Sequence, residues 1–166
     1  MSNLTKVHTW SFASGLDGYV SNQDVEIVDV CDAVRVTSKQ SISTPGIKRN
    51  LSVLPNTEYI LSVKGYSNKT NAFLWAMDKK TGLRLTTCYT YLGCNMEWKS
   101  YRFNTGTATN IDFGVLFTSP KIGDFMVLAE FELVRCDKAQ IYCCPVNTPA
   151  LKNNTTTTTL NSSSCI

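Results

Sequence analysis

The chain has 166 residues, is 43% hydrophobic, 10% aromatic and 17% charged, and carries a net charge of +3. That length can bury one real core, and the aromatic content excludes wholesale disorder. The 16 basic residues are scattered, which excludes a nucleic-acid footprint, and the single His8 has no second His for a triad or a hydrolytic metal site.

The opening MSNLTKVHTWSF has no apolar h-region, so no signal peptide is expected and the chain should stay in the cytoplasm where it is made, or join a virion or other large particle. No run of about 18 apolar residues exists, so no membrane span is expected. From residue 5 to about 135 the pattern is strand after strand: 25–30, 33–37, 47–53, 59–66, 72–78, 100–104, 111–118 and 125–134. These stretches are rich in β-branched and aromatic residues, and several alternate apolar with polar. In 59–66, Tyr59, Leu61 and Val63 share one face, and Ile60, Ser62, Lys64 and Tyr66 share the other. PNT, SNKTN, KKTG, NTGTATN and SPKIGD separate the strands with turn chemistry. No segment carries a 3.6-residue apolar period, so the expected fold is all-β: a two-sheet antiparallel β-sandwich.

After Asp137 the composition changes to IYCCPVNTPALKNNTTTTTLNSSSCI, with few large apolar groups. The expected organisation is therefore a sandwich over 1–138 and an extended tail over 139–166. Seven cysteines are present, and their spacings offer no paired C-x2-4-C zinc elements. Cys31, Cys88, Cys94 and Cys136 read as small apolar residues, whereas Cys143, Cys144 and Cys165 are candidate crosslinks to another chain.

Three stretches carry a family resemblance. TWSFASGLDGY (9–19) resembles the opening, LSVLPNTEYILSVKGYS (51–67) the middle, and EWKSYRFNTGTATNIDFGVLFTSPKIGDFMVLAEFELV (97–134) the ending of the jelly-roll carbohydrate-binding modules of families four, nine and twenty-two. The resemblance implies a five-plus-four-strand jelly roll that binds glycan chains without catalysis. It also implies a structural calcium, but the two carboxylate positions that would hold it read Ala13 and Ala129 here. No metal and no cofactor is expected.

Sugar binding needs flat aromatic faces with a few polar companions. Trp98 matches the family's structural Trp, and Tyr59, Tyr101, Phe103, Phe113, Phe117, Phe125 and Phe131 read as packing between sheets. Trp10 and Tyr19 remain unassigned. Trp75, Tyr66, Tyr89 and Tyr91 are the stacking candidates, the two latter spaced as successive platforms, with burial the competing reading for each. Lys64, Arg84, Asn71 and Asp112 are their polar companions. No G-x-S-x-G, Cys/His pair or phosphate loop appears, so no catalytic residue is assigned and no enzyme is expected. Two functions remain: a glycan-binding module, or a structural subunit of a large assembly such as a capsid, anchored to other protein chains through its tail. The alanines at the calcium positions predict that EDTA leaves the melting temperature unchanged; a large drop reversed by Ca²⁺ would refute the assignment.

Overall fold

The structure, a computed structural model, describes residues 5–21, 24–41 and 44–136. The expected boundary at 138, the tail 139–166 and its cysteines Cys143, Cys144 and Cys165 lie outside the described residues.

In chain order the strands are β1 (Thr5–Ser11), β2 (Val20–Ser21), β3 (Val25–Asp29), β4 (Val34–Ser38), β5 (Gly46–Ser52), β6 (Glu58–Ser67), β7 (Ala72–Asp78), β8 (Thr90–Tyr91), β9 (Glu97–Asn104), β10 (Asn110–Phe117) and β11 (Phe125–Cys136). A 3₁₀ turn over Phe12–Ser14 follows β1, and no α-helix occurs among the described residues. All strand pairs are antiparallel, and they form two sheets. One runs β3-β4-β11-β6-β9, with β1 also on β11; the other runs β2-β5-β10-β7-β8. The long β11 makes this possible. One edge pairs along its length with β6, while the other holds β4 at 125–128 and then β1 at 130–135.

The sandwich is thus six strands on five rather than five on four. β2 and β8 are not legible in the sequence, because two residues carry no period to read. β1, although longer, also lay outside the recognised strands.

Alternation sets the core. Tyr59, Leu61 and Val63 of β6 are buried between the sheets, as their shared face predicts. Leu74 and Ala76 of β7, Phe113, Val115 and Phe117 of β10, and Met126, Leu128, Phe131 and Leu133 of β11 join them. Each fully buried large side chain contributes roughly 1.5–3 kcal/mol. Around Tyr19 the packing is aromatic. Its ring lies 4.7 Å from Phe131 and 6.0 Å from Phe113, one residue from each sheet. Phe12 meets Phe131 edge-on at 5.6 Å, and Trp10 tilts against Phe113 at 5.4 Å. Trp10 and Tyr19 are therefore core residues. Arg49 closes the rim of this cluster: its guanidinium lies 4.9 Å over Trp10 and donates to the Asp17 carbonyl. Burial pushes the Tyr19 hydroxyl pKa well above the usual phenol value, against the opposing pull of Arg49.

Two expected core residues are not in the core. Trp98 is 43% exposed. β9 begins at Glu97, three residues before the stretch recognised in the sequence, and Tyr101 and Phe103 are its inward residues. Trp98 has the opposite parity, so it lies on the outer face beside its partner Lys64. Phe125 likewise alternates with buried Met126 and points outward, where the Arg35 guanidinium sits 3.9 Å over its ring.

This arrangement predicts unequal costs for two aromatic truncations. Phe131→Ala should lose about 3–5 kcal/mol of stability in denaturant titrations. Trp98→Ala should lose about 1 kcal/mol or less, since it leaves no buried cavity. Equal losses would place Trp98 inside.

Candidate functional site

Because Phe113, Val115 and Phe117 face the core, Asp112, Gly114 and Leu116 of β10 must face out. Strand register then lays three rows across the outer face of the five-stranded sheet. Phe73, Leu116 and Gly46 lie side by side; next come Trp75, Gly114 and Lys48; then Met77, Asp112 and Asn50. The two glycines mark a close approach of β5 and β10. A Cβ on Gly114 would stand 2.1 Å from the Ile47 carbonyl oxygen, and one on Gly46 would stand 2.2 Å from that of Val115. The floor beside Trp75 is consequently bare backbone at Gly114, whereas Phe73 neighbours Leu116.

The chain after β7 builds the wall. Asp78 N–H donates to the Leu83 carbonyl (2.9 Å) and Leu85 N–H to that of Ala76 (2.9 Å), folding this segment back along β7. Arg84 thereby bridges to Met77 on the outer face. The turn is closed by Asp78, whose carboxylate accepts the Thr81 hydroxyl at 2.6 Å and the Lys80 N–H at 2.9 Å; these bonds hold its pKa below the usual carboxylate value.

Further on, the Tyr101 hydroxyl oxygen accepts from the N–H groups of Thr87 (2.8 Å) and Cys88 (3.2 Å), which positions Tyr89. Tyr91 on β8 pairs with Phe73. The Tyr89 ring meets Phe73 edge-on at 4.7 Å and stacks with Tyr91 at 5.7 Å. The Arg84 guanidinium lies 4.2 Å over Tyr89, with its Nε donating to Thr86 Oγ1 at 2.9 Å.

These elements enclose a hollow of about 470 Å³, bordered by Phe73, Trp75, Met77, Arg84, Tyr89 and Lys48. Tyr89 is 52% exposed, while Trp75 is 7% exposed with no acceptor for its buried Nε1–H. In the third row the buried Asp112 carboxylate is held by Lys48 Nζ at 3.0 Å and Asn50 Nδ2 at 2.9 Å.

The structure divides the residues singled out in the sequence. Trp75, Tyr89, Tyr91, Arg84 and Asp112 come together on this face. Tyr66 and Lys64 lie on the outer face of the other sheet, where Lys64 pairs with Glu130 at 3.2 Å. A second hollow of about 480 Å³ opens there. There Arg35 lies over Phe125, and Phe125 and Tyr66 meet edge-to-face. Asn71 is at neither face. Its amide donates to Asp124 Oδ2 at 2.9 Å and ties two loops together. Tyr89 and Tyr91 form one stack rather than two successive platforms. Sequence reasoning missed Phe73, Met77, Lys48 and the glycines Gly46 and Gly114. The available signal was parity in AFLWAMD, whose larger side chains Phe73, Trp75 and Met77 alternate with Leu74 and Ala76.

No family profile matches the sequence, and no curated protein does. Solved structures do resemble it. The xylan-binding CBM22-1 domain of Xyn10C from Paenibacillus barcinonensis superimposes with a TM-score of 0.62 at 10% identity, over 81% of this chain and 97% of that one. The fold is the jelly roll of the carbohydrate-binding modules. The second N-terminal cellulose-binding domain of β-1,4-glucanase C from Cellulomonas fimi gives 0.61 at 14% identity, over 82% and 98%. The CBM22-1–GH10 modules of Clostridium thermocellum xylanase 10B, solved with xylohexaose, give 0.61 at 17% identity, over 80% of this chain and 29% of that one.

At the two positions where the resemblance implies calcium ligands, Ala13 lies in the 3₁₀ turn and Ala129 at the β11 bulge, and neither offers a side-chain oxygen. Among the described residues no three His, Cys, Asp or Glu side chains cluster as a metal site requires.

Lys48 should matter more to stability than its exposed counterpart Lys64. Lys48→Met leaves the buried Asp112 carboxylate with Asn50 alone and is expected to cost about 1–3 kcal/mol. Lys64→Met removes a pair exposed at both ends and should cost under about 1 kcal/mol. Denaturant midpoints of the two variants provide the comparison, and equal shifts would contradict the burial of Asp112.

Proposed function

We propose that this protein is a non-catalytic glycan-binding module whose site is the outer face of the five-stranded sheet. The observation that carries this is the exposed Tyr89 ring bordering a hollow whose floor at Gly114 is bare backbone, with Phe73 and Trp75 buried beneath it. A pyranose ring is flat enough to lie on an aromatic side chain, and a floor without side chains gives it room to approach. The fold shared with carbohydrate-binding modules supports the same reading.

Catalysis has less to stand on. Glycoside hydrolysis uses two carboxylates across a cleft, and the three outer rows contain one, Asp112, already bound to Lys48 and Asn50. The alternative of a structural subunit, in a virion or another assembly, rests on the tail beyond the described residues. Among the exposed apolar side chains that a protein partner could meet are Val28, Met96 and Trp98 on or beside the six-stranded sheet.

The test is a polysaccharide array followed by calorimetric titration of any hit. Trp75→Ala and Tyr89→Ala should each weaken binding about tenfold, about 1.4 kcal/mol. Trp75 is buried, so its variant is interpretable only if folded; Tyr89 is exposed and keeps the test independent of that. Full-strength binding by both variants, or no binding to any polysaccharide, would retire the proposal.

A further inference from the structure

The charged side chains lining the hollow on the five-stranded sheet are cationic. Lys48 and Arg84 border it, beside the neutral hydroxyl-bearing Thr44 and Tyr89. Here the one carboxylate in the rows, Asp112, is buried and already takes bonds from Lys48 and Asn50. Lys48 and Asp112 therefore offset each other, and the charge left on the hollow belongs to Arg84.

Arg84 is well placed to act on a ligand. Its backbone is fixed by the bridge to Met77, and its Nε is tied to Thr86 Oγ1. The guanidinium is exposed, rests on the Tyr89 ring at 4.2 Å and lies 5.4 Å from the Phe73 ring. Among the described residues no carboxylate pairs with it. A guanidinium is planar, and its N–H groups beyond Nε can meet a carboxylate with two parallel hydrogen bonds. Holding it there in advance removes part of the ordering entropy of such a contact.

We infer that the site selects acidic saccharides, chains bearing a uronate or similar carboxylate, with Arg84 receiving the carboxylate while the sugar ring lies in the hollow beside Tyr89 and the bare floor at Gly114. This deepens the glycan-binding proposal and rests on it. A neutral chain of the same shape would leave the Arg84 charge solvated but unanswered, so preference for the acid is the measurable consequence.

The experiment uses the full chain and three polyuronates, polygalacturonate, alginate and hyaluronan, each compared with its own methyl ester by calorimetric titration. Esterification removes the charge and keeps the backbone. At least one acid should bind about tenfold more tightly than its ester, and raising the salt from low to high concentration should narrow that gap. Arg84→Gln should bring the acid-to-ester ratio close to one with an unchanged melting temperature, and Arg84→Lys should restore it only in part. Equal binding of acid and ester, or a ratio that survives Arg84→Gln, overturns acid selection while leaving glycan binding intact. Binding of none of these acids while the array yields a neutral glycan overturns it in the same way. If nothing on the array binds either, both proposals fall. Poly-glutamate binding as tightly as the best polyuronate would assign Arg84 to anions in general and overturn the saccharide assignment.

Discussion

The contact on which the rest depends is the aromatic packing between the sheets, where Tyr19 lies between Phe113 of one sheet and Phe131 of the other. Removing these rings from water is a large stabilising term, and their edge and tilted contacts add to it. It also acts as a switch of parity. Once Phe113 faces inward, strand period two forces Asp112, Gly114 and Leu116 outward, and register carries that choice to Phe73, Trp75 and Met77 on β7 and to Gly46 and Lys48 on β5. A one-residue slip of β10 would bury the polar row and expose the core. The site is therefore the reverse side of the core, specified by the same residues.

The outer faces of the two sheets use similar residue types. On the six-stranded sheet, Arg35 lies over Phe125 and Lys64 pairs with Glu130. On the five-stranded sheet, Arg84 lies over Tyr89 and Lys48 pairs with Asp112. What the five-stranded sheet has in addition is Gly46 and Gly114, whose backbone approaches its neighbour too closely for a Cβ.

Tyr101 illustrates how core and site are joined. Its ring packs against the core, while its hydroxyl oxygen accepts two backbone N–H groups from the loop that delivers Tyr89. A buried body with a polar tip makes tyrosine suited to anchoring a loop whose own residues have little to bury. In the same way, the Thr81 and Lys80 bonds to Asp78 shape the turn that brings Arg84 back beside β7. Neither link involves a residue that touches the hollow.

The sequence by itself determined the all-β class, eight of the strands and the inward face of β6, because alternation over five or more residues is a local signal set by the pleat. It also contained the parity of Trp98: counting back from Phe103 and Tyr101 puts it outside, and the family motif pointed the other way. Only the tertiary structure decided which candidates share a site. Tyr66 and Lys64 look equivalent to Trp75 along the chain, yet strand order sends them to opposite faces of the molecule. The two-residue strands β2 and β8, the glycine floor and the placing of Arg84 over Tyr89 were likewise beyond local reading. β2 and the glycine floor arise from pairing between strands far apart in sequence, and no local period encodes which distant strand a given strand will meet; Arg84 and Tyr89 are near neighbours in the chain, but irregular loop backbone carries no period to read.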